Sequence, residues 1–331
     1  MREPAFLRRN KDKWLEYEQT LSKGGEFETD PDRLAQLYVQ LTDDLAYART
    51  FYPKSQTVRY LNGLAARTHF AIYKNKKEKN NRLITFWTTE LPLIIRFAHR
   101  SMFVAFAFFT LFFIIGFTAA MNGDDLIRTV LGDGYVDMTI ENIESGDPMG
   151  VYKGGGSFEM FIRIAFNNIR VSFIAFAYGI LLSLGTMYIL FYNGIMVGVF
   201  FALFHTRGII WEALPVIYVH GTLELSAIVI AAGAGFLLGN SILFPGTHTR
   251  KWALRRAANY GIKIMVGLVP VFLAAAWLES YITRLTEMPL AVKLIIIIVS
   301  LTYILGYYVI YPWYVDRKMG KLGAIELEKH L

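Results

Sequence analysis

His220 and Glu224 stand one helical turn apart inside the run from Pro215 to Gly239, a stretch apolar enough to cross a lipid bilayer. An ionisable side chain at membrane depth costs about 2.5 kcal/mol or more on insertion scales, so such residues face a bundle interior or a wet cavity and take a partner there. Side chains four apart on a helix share a face, so this pair can hold each other's protonation state. Three chemistries fit: a polar clamp between packed helices, a proton-linked or ligand-binding site, and a metal site. The metal reading lacks a nameable third ligand, and a protease-type zinc helix requires His-Glu-x-x-His. His205 and Glu212, at the turn before this run, are the candidates to approach it. No metal or other cofactor is therefore expected. Gly154-Gly-Gly156 is not followed by Gly-Lys-Ser or Gly-Lys-Thr, and neither a serine elbow nor a dinucleotide fingerprint accompanies it. With no catalytic residue to assign, the chain reads as a non-enzyme.

The pair needs a bundle around it, and the composition supplies one. Of 331 residues, 54% are hydrophobic and 18% charged, the balance of an all-α, polytopic membrane protein with one soluble part. Zero cysteines exclude disulfides, cysteine metal sites and thiol nucleophiles. The first residues carry Arg2, Arg8, Arg9, Lys11 and Lys13 without a continuous apolar core, so no cleavable signal is expected. Residues 1–98 read as a cytoplasmic helical region of two or three antiparallel helices. Asp30-Pro31 suits an N-cap and first turn, and Leu34, Leu37, Tyr38, Leu41, Leu45 and Ala48 repeat at helical spacing. A second helix spans Ser55 to Tyr73, and Lys74, Lys76 and Lys77 open a basic tract. Residues 84–100 mix Trp87, Leu91 and Phe97 with Arg96, His99 and Arg100, as in a helix lying at the membrane surface.

A transmembrane bundle is predicted over 99–315, with spans at about 101–120, 171–192, 194–204, 213–239, 262–278 and 292–311, each judged against the ~20 residues a bilayer core requires. The 194–204 segment is short, so five to six spans are expected, that one short or re-entrant and buried in protein. Residues 121–160 form an acidic outer loop, and 316–331 a cytoplasmic tail. Basic residues set the orientation. Residues 1–100 hold eighteen Lys/Arg against twelve Asp/Glu, and 241–261 hold Arg250, Lys251, Arg255 and Arg256 with no acid. The positive-inside bias then puts both termini in the cytoplasm.

Asn193-Gly194 reads as a tight turn, or as Asn193 lining a cavity. Asn167, Asn168 and Arg170 read as interfacial anchors, or as a polar mouth toward His220. Gly194 with Gly198, and Gly235 with Gly239, make small-xxx-small pairs for close helix packing, with Gly221 beside them. Packing within one subunit and a homodimer seam both fit. Lys74, Lys76, Lys77, Arg250 and Arg255 would meet anionic membrane lipids, each contributing about 1 kcal/mol. No nucleic-acid module accompanies them, so no nucleic-acid partner is expected.

Leu41-Thr-Asp-Asp-Leu-Ala-Tyr-Ala-Arg49, Leu61-Asn-Gly-Leu-Ala-Ala-Arg67, Phe166-Asn-Asn168, Asn193-Gly-Ile-Met-Val-Gly198 and His220-Gly-Thr-Leu-Glu-Leu225 together resemble the stage II sporulation protein M family of bacterial integral membrane proteins. The most specific part is the Asn-Gly pair followed by His-Gly-x-x-Glu. The resemblance implies a bacterial cytoplasmic-membrane protein without established catalysis. The family's namesake works in an envelope complex with peptidoglycan-degrading partners, and relatives are often encoded beside AAA-type ATPases and other membrane proteins. Two functions follow as expectations: a scaffold that assembles a cell-envelope remodelling complex, or a transporter or channel-like component with an intramembrane His-Glu site.

Overall fold

The computed structural model describes residues 2–22, 31–73, 82–147, 150, 156–285 and 288–320. It is all-helical, with no strand among the described residues. Its contacts separate two compact units, Met1–Asn81 and Arg82–Leu331. The sequence reading drew that boundary at 98.

The first unit packs α1 (Glu3–Ser22), α2 (Pro31–Phe51) and α3 (Gln56–Tyr73). Phe6, Trp14, Tyr17, Leu41, Leu45, Ala48, Leu61 and Leu64 form its core, so the buried part of the α2 stripe is Leu41, Leu45 and Ala48. Asp30 and the side chains of Leu34 and Leu37 lie outside the described residues. Polar ties close the edges: the Trp14 indole donates to Asp44 at 2.9 Å, and the Tyr17 hydroxyl to Gln40 at 2.8 Å. Arg67 and Tyr60 donate to Glu18 at 2.8 and 3.1 Å, and these bonds, Arg67's first, hold the Glu18 carboxyl below its ordinary value of 4.5. A depressed carboxylate stabilises the fold above its unfolded pKa and loses that contribution as pH falls through the folded value. Glu18→Gln is thus expected to flatten slightly the acid limb of this unit's stability below about pH 4.5, measured by hydrogen exchange, and to leave neutral pH nearly unchanged.

The second unit begins with α4 (Arg82–Ala120), followed by the short helices α5 (Asp124–Leu131) and α6 (Asp133–Glu144). Then come α7 (Ser157–Ile180), α8 (Leu184–Thr206), α9 (Ile210–Leu243), α10 (Arg250–Ile282) and α11 (Leu290–Met319). Six of these, α4 and α7–α11, are long and apolar enough to cross a membrane. In α9, 67% of the most apolar window is buried, against 22% in α4 and 17% in α11, so α9 is the axis and the other two present apolar faces to lipid. The predicted surface helix at 84–100 is continuous with the first span, joined through a wide π turn at Phe86–Glu90 and Pro92 in the first α-helical turn that follows. Lys263 of α10 pairs with Glu90 there. The acidic outer segment is partly ordered as α5 and α6, tied by Arg128 to Asp133 and Asp137 at 3.2 and 2.8 Å.

The second and third spans differ from the prediction. The chain turns at Tyr178–Ser183 instead of at Asn193-Gly194, and α8 is a full helix of 23 residues, about 34 Å at 1.5 Å per residue, instead of a short one. Leu182 and Ser183 make this turn at φ 54° and 70°, a region that favours glycine. It is held by Ser183 N–H donating to Gly179 O and by Gly179 seated directly on the backbone of Gly235. Asn193 lies mid-helix with its amide donating to Ile189 O at 2.8 Å, and Gly194 is the point where α4 passes, its missing Cβ leaving room for Phe109 and Phe112.

Candidate functional site: a histidine and two glutamates inside the bundle

His220 sits on the inward side of α9 and is 5% exposed; Glu224, one turn on, is half-buried. The third member comes from α10. That helix widens into a π turn at Leu278–Ile282, with Thr283 N–H bonded to Leu278 O at 2.8 Å, and the wide turn delivers Glu279 to the cluster. One ligand atom from each of His220, Glu224 and Glu279 lies within 4.8 Å of the others. Thr283 adds a contact, its hydroxyl 3.1 Å from His220 Nδ1 and 3.2 Å from Leu278 O.

From α7, the Asn168 amide lies against the Glu224 carboxylate, yet its nitrogen makes no hydrogen bond of ordinary geometry at 5% exposure. Ser172, one turn further along α7, and Ser280, beside Glu279, are fully buried with unbonded hydroxyls. Buried polar atoms are rarely left this way, and these three lie on α7 and α10, the helices that bring Asn168 and Glu279 to Glu224. Ion pairs among the described residues of this unit lie elsewhere, such as Arg96 with Asp316, Lys263 with Glu90, Arg128 with its two aspartates and Arg207 with Asp124. Among the described residues no lysine or arginine pairs with Glu224 or Glu279. On the side of the acidic helices, Tyr135 of α6 is within electrostatic reach of Glu279. Burial raises its phenol above the usual value, and the glutamate adds to that shift.

Of the predicted mouth residues only Asn168 reaches the cluster. Asn167 and Arg170 are exposed on the other side of α7. His205 is exposed, its ring tilted against Phe117 at 5.6 Å, and Glu212 is exposed in the first turn of α9, so neither joins the cluster at His220. Gly194, Gly198, Gly235 and Gly239 are close-packing positions, whereas Gly221 is not: a Cβ there would meet Ile217 only at 3.8 Å. Arg250 and Arg255 are exposed at the start of α10; Lys74, Lys76 and Lys77 lie outside the described residues. Glu279 and Thr283 escaped the sequence reading, which ended the fifth span at 278. The available signal was an acid one residue beyond an apolar run.

The domain of unknown function DUF8413 matches residues 4–74, the first unit. No curated protein and no solved structure matches the chain. Stage II sporulation protein M matches residues 105–284, more than half of the chain and every member of the polar cluster. The match spans the apolar helices and the buried His-Gly-x-x-Glu turn, and the chain belongs to the stage II sporulation protein M family.

Proposed function

We propose that the protein is a non-enzymatic transport or channel-like component whose bundle binds a cation at His220, Glu224 and Glu279. The observation that carries this reading is the 4.8 Å grouping of the three side chains. Two carboxylates this close in an apolar bundle cannot both keep their charge without a compensating cation, a proton included. A polar clamp needs no such concentration of acid, and His220 with Glu224 alone would have served it.

The test is cation flux through proteoliposomes, comparing wild type with Glu224→Gln and Glu279→Gln. Flux is expected to fall at least tenfold in both variants while both remain monodisperse in detergent. Equal flux in all three sinks the transport reading, and variants that fail to assemble favour the clamp. A second reading, assembly of an envelope-remodelling complex, is supported by the separate N-terminal unit with its own domain match, a natural docking module for protein partners such as an AAA-type ATPase. Placement in the bacterial cytoplasmic membrane with both termini inside rests on the basic-residue bias; an even number of crossings is compatible with it.

A further inference from the structure

The geometry points to a divalent transition-metal site formed by His220, Glu224 and Glu279. It names the ion for the cation-binding reading above and rests on that reading.

The hydrogen-bond chain around the histidine comes first. Thr283 Oγ1 has one proton, and it donates to Leu278 O at 3.2 Å. With that proton so placed, the same hydroxyl accepts from His220 at 3.1 Å, an assignment that puts the ring proton on Nδ1 and offers Nε2 as the ligand atom. This is the arrangement by which proteins prepare a metal-binding imidazole: one ring N–H is anchored to an oxygen, fixing tautomer and ring orientation, while the other nitrogen is the ligand.

The donor set selects the class of ion. One imidazole nitrogen and two carboxylate oxygens suit first-row divalent metals such as Zn²⁺ or Mn²⁺, whereas Ca²⁺ and Mg²⁺ take oxygen alone. Charge agrees, since a divalent ion neutralises two glutamates that no basic side chain pairs with among the described residues. Distance agrees as well. Ligand bonds of about 2.1 Å in tetrahedral geometry place donor atoms about 3.4 Å apart, and glutamate torsions close the difference from 4.8 Å. Asn168 supplies the independent observation: its amide is buried against Glu224, and its nitrogen makes no hydrogen bond of ordinary geometry there. A water brought by the ion would accept a hydrogen bond from that amide.

Untagged full-length protein, purified in mild detergent and stripped with chelator, is titrated with Zn²⁺, desalted and assayed for bound metal by mass spectrometry. One equivalent per chain is expected in wild type, with a raised melting temperature. Glu279→Gln and His220→Gln are expected to weaken binding at least a hundredfold, and Mg²⁺ to bind far more weakly. Cobalt substitution of wild type reads the nitrogen-oxygen donor set directly, so a variant that misfolds leaves the question answerable. Wild type that retains no metal, or variants that retain it equally, overturns the inference. Flux that depends on Glu224 without metal retention leaves the cation reading standing on the proton, whereas metal retention without flux keeps this site and removes transport.

Discussion

Gly179→Val is expected to remove most folded protein. A Cβ at this position would collide with the carbonyl of Gly235 and stand 2.8 Å from its Cα, so the obstacle is backbone and no rotamer relieves it. Forcing extra methyl groups into a packed contact costs about 1–3 kcal/mol, and more where two helices must separate. The contact also seats the turn at Leu182 and Ser183, whose positive φ values persist only because the surroundings hold them. Gly235 meets Ala175 and Thr186, and Gly239 meets Ser183, so separation at one glycine opens all three. Fluorescence-detected size exclusion should show a collapsed monodisperse peak, with a melting point lowered by several degrees in any protein that remains. Gly221→Ala is the control. Its Cβ has room, and alanine is favoured over glycine in a helix by about 1 kcal/mol, so its stability should hold or rise. Equal behaviour of the two variants would show that the glycine contact does not hold the turn.

The second large effect belongs to the N-terminal unit. Trp14 is 2% exposed, packs against Phe6 and Tyr60 at ring distances of 5.5 and 6.2 Å, and bonds Asp44 through its indole nitrogen. Trp14→Ala leaves a large cavity and takes a donor from Asp44, a loss of about 3–5 kcal/mol. For a three-helix unit this small, that approaches the whole stability. Hydrogen exchange on the full chain should then show protection lost in α1, α2 and α3 and kept across α7–α11. Retained protection in α1 to α3 would mean the unit is held by something other than its own core. A variant with an intact bundle and a melted first unit also separates the two functional readings, because flux should survive and partner docking should not.

Much of the architecture is readable from hydropathy, and the places where it is not have physical reasons. His220 and Glu224 stand out because charge inside an apolar run is costly and therefore conspicuous. Glu279 does not stand out, because an acid at the end of a run resembles the beginning of a loop; only the π turn, a tertiary outcome, folds it inward. The turn between α7 and α8 is invisible for the opposite reason. Tyr178-Gly-Ile-Leu-Leu-Ser183 contains little of the usual turn chemistry, and its conformation is imposed by α9. Meanwhile Asn193-Gly194 has that chemistry and lies mid-helix, because there the glycine serves contact with α4 instead of chain reversal. Ala175, Gly179, Ser183 and Thr186 share a contact surface against Gly235 and Gly239 of α9, although a turn runs through the middle of them.

The glycines also sort the helices by how they can move. At Gly116 and Gly198, α4 and α8 touch backbone to backbone, and at Gly179 and Gly235 the α7–α8 turn touches α9 in the same way. Such contacts cannot slide, since any shift drives a carbonyl into a neighbouring main chain. The corresponding points on α10 are different: Gly261 meets the ring of Phe176, and Gly267 the methyl groups of Leu91. These are side chains, which can change rotamer. Main-chain contacts thus join α4, α8 and α9, whereas α10, which carries Glu279, meets its neighbours at Gly261 and Gly267 through side chains. Glu224 and Glu279 stand on different helices, so the distance between the two carboxylates is set by how α9 and α10 pack and not by the main-chain contacts that lock α8 to its neighbours.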